Sequence, residues 1–409
     1  GYTASPKKFT LITKNIIRPF FQWKNNLGYS AEVTLLQSLM NFGGWTSQSN
    51  VRSIASPYNQ LTDVNNPLNQ LVFEGTNDNS LNNFGNAAKF LGLQGETFDS
   101  SSQKGGIDGY KDFMTWVKKE VIKGNQVALG IIIDNGPYDH IVPVIQIESD
   151  YSSDNLTWHD DDMLYIDDHG EFAGACNGTN STTSCFWMKN TDIPYGSENT
   201  VGCTPFFYGH SFANLTLNAT DYRQFQIFIP NEGLTSENKN FAFSISGVID
   251  PYNVTFPVKL QIADNGSPYH PIAGYNYESP MIAEAANETD IRNILPAPTK
   301  LKFLITVTGL TPGNSYNLFR FEYTGRPLLG QLDIPSFNFN ANKDKASQVL
   351  TFTAKNQEFF LSYEAMSDHT IIYRCVSVDE KLIQLTSNSV KNSFRFIVLM
   401  RLFTILFAI

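Results

Sequence analysis

Between residues 226 and 380 the chain breaks into short runs in which apolar and polar residues alternate. They read FAFSISGVI, VTFPVKLQIA, KLKFLITVTGL, YNLFRFEYTG, QVLTFTA, EFFLSYEA and TIIYRCVSV, with FQIFIP just before them. Alternation has period two, and period two puts every second side chain on one face of an extended strand. Gly, Pro, Asn and Asp punctuate the runs, as turns between strands require. This spacing predicts an antiparallel sandwich over residues 223–385.

The first 225 residues are patterned differently. A run from Ser30 carries Leu35, Leu36, Leu39, Met40 and Phe42 close to helical spacing. Residues 49–56 predict a short helix, and 80–93 an amphipathic one stopping near Gly92. Residues 109–125 predict a helix with Phe113, Trp116, Val117, Val121 and Ile122 on one stripe and Gly124 as its stop. Strands follow at 126–134, 140–148 and 162–168. Helices first and strands afterwards is an α+β order. The expected organisation is a first domain over 1–222, a sandwich over 223–385 and a hydrophobic tail over 386–409.

The net charge of −10 and the lack of a basic stripe exclude nucleic acid as the expected partner. Eight Asn-x-Ser/Thr sequons occur, at Asn155, Asn177, Asn180, Asn214, Asn218, Asn253, Asn265 and Asn287. Pro268 weakens the one at Asn265. Their clustering points to a secreted or cell-surface glycoprotein. Four cysteines, Cys176, Cys185, Cys203 and Cys375, permit two disulfides in that setting, one of them reaching Cys375, or leave two thiols unpaired. The absence of a Cys-x-x-Cys pair argues against a zinc knuckle, and no cofactor is expected. The tail FRFIVLMRLFTILFAI (394–409) is shorter than a comfortable span of about 20 residues. Ser387, Asn388 and Ser389 precede it in the order of a lipid-anchor signal, so membrane attachment through the tail is one expectation. A final buried strand or helix is the other.

Two segments carry more specific signals. LTPGNSYNLFRFEY (310–323) places Leu-x-Pro-Gly-x-x-Tyr before an alternating strand. It resembles the tyrosine corner of fibronectin type III and immunoglobulin-like sandwiches, with Tyr316 in the corner. The second signal is spread over the first domain. Ser30 heads the first helix in GYSAE, His140 opens the strand in DHIVPVIQI, and Asp167 and Asp168 end the next strand in LYIDDHG. A hydroxyl or thiol nucleophile needs a base beside it and a group that orients the base.

That order resembles the papain-like cysteine peptidases, and most closely the bacteriocin-processing branch that cleaves double-glycine leaders. The resemblance covers about residues 20–170. It implies an α+β papain-like domain with a nucleophile at the helix start, His140 as base and an Asp orienting it. Asp168 is the first choice for that carboxylate, and Asp167 the alternative, since one residue moves a side chain across the sheet. The family's Cys is replaced here by Ser30. Its oxyanion-binding Gln stands six residues before the nucleophile, where this chain has Lys24. Gln22 lies eight before and would need a two-residue insertion to reach the site.

A thiol at a helix N-terminus beside His ionises readily, whereas a serine hydroxyl needs full general-base help during attack. The expected function is therefore a peptidase-like protein with impaired chemistry that retains a cleft for a peptide or protein ligand. Ser30 is read as a degenerate nucleophile position now serving as a helix cap, a role serine fills well. The alternatives are an active hydrolase using Ser30, His140 and Asp168, and a non-enzymatic adhesion glycoprotein. The HDDD run at 159–162 is expected to be a solvated acidic turn rather than a calcium site, because it lacks the order of a calcium loop.

Overall fold

The structure, a computed structural model, describes residues 11–14, 30–55, 78–98, 106–132, 138–150, 157–167, 207–211, 242–250, 252–262, 298, 300–325 and 339–379. The described region is mostly antiparallel β-sheet with a few helices. The helices are α1 (Ser30–Asn41), α2 (Gln48–Ala55), α3 (Asp78–Phe90) and α4 (Gly106–Ile122). Seven strands form one sheet: β1 (Leu11–Lys14), β3 (Leu93–Thr97), β4 (Gln126–Ile132), β5 (Tyr138–Ser149), β6 (Met163–Asp167), β7 (Phe207–Ser211) and β8 (Ala242–Val248). Their order is β3-β8-β4-β5-β6-β7, with β1 also paired to β5.

Two smaller sheets hold the remaining strands. One has the order β10-β11-β14, from β10 (Val258–Ile262), β11 (Lys300–Val307) and β14 (Phe359–Met366). The other runs β13-β12-β15-β2, from β13 (Gln348–Thr353), β12 (Ser315–Thr324), β15 (His369–Ser377) and β2 (Gly44–Trp45). The short strand β9 (Thr255–Phe256) also pairs with β15. Sheet membership does not follow chain order across residue 222: β8 pairs with β3 and β4, and β2 pairs with β15. The run FQIFIP, the cysteines 176, 185 and 203, and the tail 394–409 lie outside the described residues.

Three apolar clusters explain the layering. In the first, Ala128, Ile141, Phe243 and Ile245 of the seven-stranded sheet meet α1, α2 and α3, together with Phe319, Phe321, Ile372 and Val376 of β12 and β15. In the second, Leu318, Ile371, Tyr373 and Cys375 meet Leu260, Phe303 and Ile305 of the three-stranded sheet. In the third, Val127, Leu129, Val142 and Val144 meet Phe113, Met114, Val117 and Val121 of α4. Period two accounts for the split within each strand: Ile141 and Val142 face opposite sides of β5, and Ile372 and Tyr373 opposite sides of β15. The five-stranded sheet is thus covered on both faces, and seven consecutive residues of β15 are buried.

Helix α1 is buried from residue 31 to residue 40. Ala31, Leu35 and Leu39 join the first cluster, while Val33, Leu36 and Met40 join the second. It ends at Gly43, whose φ of 85° lets the chain turn into β2. At Gly44 a Cβ would lie 2.6 Å from Leu39 Cδ1 and 2.8 Å from Ile372 Cδ1, so only glycine lets the helix end and β15 close on each other.

Tyr316, expected at a corner, makes one local hydrogen bond. The backbone N–H of Thr311 donates to the Tyr316 hydroxyl at 2.8 Å, and Tyr316 is buried between Phe256 and Phe352. Cys375, expected as one disulfide candidate, is instead a free thiol with no exposed surface, and burial pushes it up to about 12.

Candidate functional site

The three sequence motifs fall on α1, β5 and β6. Ser30 is the first residue of α1, as its position before the apolar run predicts. One turn later the Thr34 hydroxyl donates to the carbonyl of Ile141 at 3.3 Å, the residue after His140. At the other end of α1, Asn41 Nδ2 donates to Gln126 Oε1 at 3.3 Å, at the start of β4. Residue 127 pairs with 144 and residue 131 with 140, so β4 begins far along β5 from His140. Two pins fix the helix direction, and its N-terminus lies toward the His140 end of β5.

Strand β6 completes the arrangement. Ile166 pairs with Val144 and Met163 with Glu148, so β6 runs antiparallel to β5 and Asp167 ends it beside the middle of β5, about level with Pro143. Ser30 thus begins α1 one turn before its contact with β5, and Asp167 ends β6 about three residues along β5 from His140. Beside His140 the pairing of β4 and β5 slips between Ile131 and Ile132. Asp168 and Gln22 lie outside the described residues.

Sequence patterning passed over a buried ion pair behind this sheet. Lys118 Nζ lies 2.6 Å from Asp162 Oδ2, and neither side chain reaches solvent. The ammonium also donates to the Thr157 carbonyl at 3.1 Å and the Ser149 hydroxyl at 3.4 Å. The HDDD run is thus only partly a solvated turn: Asp160 is exposed, while Asp162 is a buried anchor for the loop. The available signal was a lysine one turn beyond Met114, inside the apolar stripe of α4.

A second polar cluster joins β12, β14 and β15. The Tyr363 hydroxyl donates to Glu322 Oε2 at 2.5 Å, and His369 Nδ1 lies 2.8 Å from Glu322 Oε1. Arg320 Nε stands 3.3 Å from the same carboxylate, with its guanidinium carbon 3.9 Å from the Tyr363 ring centroid. Burial, and then the Glu322 hydrogen bond, push the Tyr363 phenol up to about 12. Each acceptor oxygen of Glu322 is engaged, which suits a clasp between strands better than a reacting group. Among the described residues no three of His, Cys, Asp and Glu gather in a metal-binding arrangement. No described helix is long and apolar enough to cross a membrane.

Of the sequon asparagines, Asn253 falls within the described residues. It is exposed in a turn with φ of 51°, a geometry asparagine tolerates. Asn155, Asn177, Asn180, Asn214, Asn218 and Asn287 lie outside them. No protein-family profile, curated protein or solved structure matches this chain.

Proposed function

We propose that the chain is a secreted or surface-attached peptidase-like protein of impaired activity. In this reading it holds a peptide where α1 begins, β5 begins and β6 ends. Ser30 occupies the nucleophile position, His140 the base position and Asp168 or Asp167 the orienting position. The observation that carries the reading is the seating of the first turns of α1 on β5 beside His140, through the Thr34–Ile141 hydrogen bond, with β6 paired to the same strand. A triad also needs the His140 imidazole on the α1 side of β5. Strict alternation with Val142 would set residue 140 on the other face, so this requirement is the sharpest test of the reading. The paired smaller sheets and the corner at Tyr316 support a fibronectin III-like or immunoglobulin-like sandwich as the partner of this region. An exposed turn at Asn253 supports glycan attachment there.

Impairment follows from the chemistry at residue 30. A serine hydroxyl has no thiolate route, and loss of one oxyanion donor alone costs about 10²–10³ in rate. The test is Ser30→Cys, with iodoacetamide labelling followed at residue 30 by peptide mass spectrometry. The new thiol should react with a pH midpoint below about 8.5, the free-thiol value, and His140→Ala should raise that midpoint. An ordinary midpoint indifferent to His140 would remove the reading. Acylation of wild-type Ser30 by a fluorophosphonate would replace it with an active serine hydrolase.

A further inference from the structure

Large apolar side chains left in water are few among the described residues: Ile249, Leu304 and Phe360. Two of the three share a face. Strand pairing sets Thr306 opposite Phe360 and Leu304 opposite Ser362, so Leu304 and Phe360 are diagonal neighbours on the outer side of the β10-β11-β14 sheet. Phe360 is 66 % exposed and Leu304 43 %. Isolated exposed apolar residues are ordinary, whereas adjacent ones mark contact surfaces.

The surroundings define the chemistry. Lys259, opposite Thr306, and Lys300 and Lys302 on β11 are exposed on the same face. Glu364 is the acidic member, and Lys300 binds it at 2.7 Å. Three lysines against one glutamate make a cationic island on a chain of net charge −10. The apolar pair stands on an open sheet surface rather than in a groove. An aromatic ring and a leucine with flexible ammonium groups around them match a plane of anionic headgroups over an acyl layer. Acidic groups elsewhere on the molecule are screened beyond about 8 Å at physiological salt.

We propose that the outer face of the β10-β11-β14 sheet, through Phe360 and Leu304 ringed by Lys259, Lys300 and Lys302, docks on anionic phospholipid bilayers. One weak membrane signal rarely holds a protein, and two acting together do. This face would be one such signal, independent of the peptide site proposed at Ser30 and of the C-terminal tail.

The experiment is sedimentation of the full chain with phosphatidylcholine vesicles, with and without roughly one-third phosphatidylserine. Wild type should partition further onto the anionic vesicles, and raised salt should remove the increment. Neutralising Lys259 and Lys302 to Gln should weaken it about fivefold per lysine, the value of a basic residue near such a surface. Phe360→Ser should weaken it as well. All three positions face away from the core, and unchanged thermal melting verifies the fold of each variant. Equal partitioning of wild type and variants, or no dependence on phosphatidylserine, would overturn the proposal. So would light scattering in which Phe360→Ser dissolves a dimer without changing vesicle binding, since the face would then serve a second copy.

Discussion

Lys118 and Asp162 place two full charges where no water reaches them. Mutual attraction and the extra bonds to Thr157 and Ser149 offset a desolvation cost of several kcal/mol per ion. Removing one partner strands the other. Asp162→Ala should therefore destabilise the protein by about 3–5 kcal/mol, while Lys118→Met combined with Asp162→Leu should cost far less. Denaturant melts of the two singles and the double decide this; equal losses in all three would mean the pair is not coupled. Glu120 gives a different pH signature. Burial raises its carboxyl, but the hydrogen bonds from Lys123, Ser244 and Asn125 outweigh that and leave it below the ordinary value. A folded pKa lower than the unfolded one gives stability that is fully present above the ordinary carboxylate range. That stability is lost as pH falls through the depressed value. Glu120→Gln should flatten the acid limb of a stability–pH curve and leave its alkaline limb in place.

At the scale of elements the Thr311–Tyr316 hydrogen bond offers the cleanest local test. Tyr316→Phe leaves the ring in place and takes away the acceptor of the Thr311 N–H, a loss of about 1–3 kcal/mol with little change in core volume. A neutral result by thermal melting would mean that packing alone holds the turn. The same element shows why much of the fold could be read beforehand. From β8 onward the described strands coincide with alternating runs, because each strand buries one face or two and its neighbours in sequence turn sharply. The strand pairings were not legible. Gly44–Trp45 carries no strand pattern and joins β15 because glycine permits the close approach and Trp45 Nε1 donates to the Ser367 carbonyl at 3.0 Å. Likewise β8 reads as one more strand of the later series, yet it pairs with β4 and β3. Local pattern specifies a strand, whereas its partner depends on contacts more than a hundred residues away. At the candidate site the helix start, the strand start and the strand end could be placed from pattern. The seating of that helix on β5 depends on Thr34 and Asn41, whose distant hydrogen bonds no spacing announces.

At the scale of the whole molecule, α1 ties the sheets together. Its Leu39 packs toward the seven-stranded side and its Leu36 toward the three-stranded side, both without exposed surface. The five-stranded sheet lies between the two clusters and contributes to each. A cavity on either face of α1 should cost about 2–5 kcal/mol, since such tightly enclosed positions relax little. The loss should not stay on one side. If helix and middle sheet are shared, Leu36→Ala lowers hydrogen-exchange protection in β5 as well as in β11, although Leu36 joins the cluster of β11 alone. Leu39→Ala does the same from the opposite side. Cooperative units reveal themselves in this way, by losing protection together. Protection lost in β11 while β5 keeps its full value would show two units that merely touch at α1. Equal loss in both strands, from either substitution, would show one unit whose stability passes through the helix that Ser30 begins.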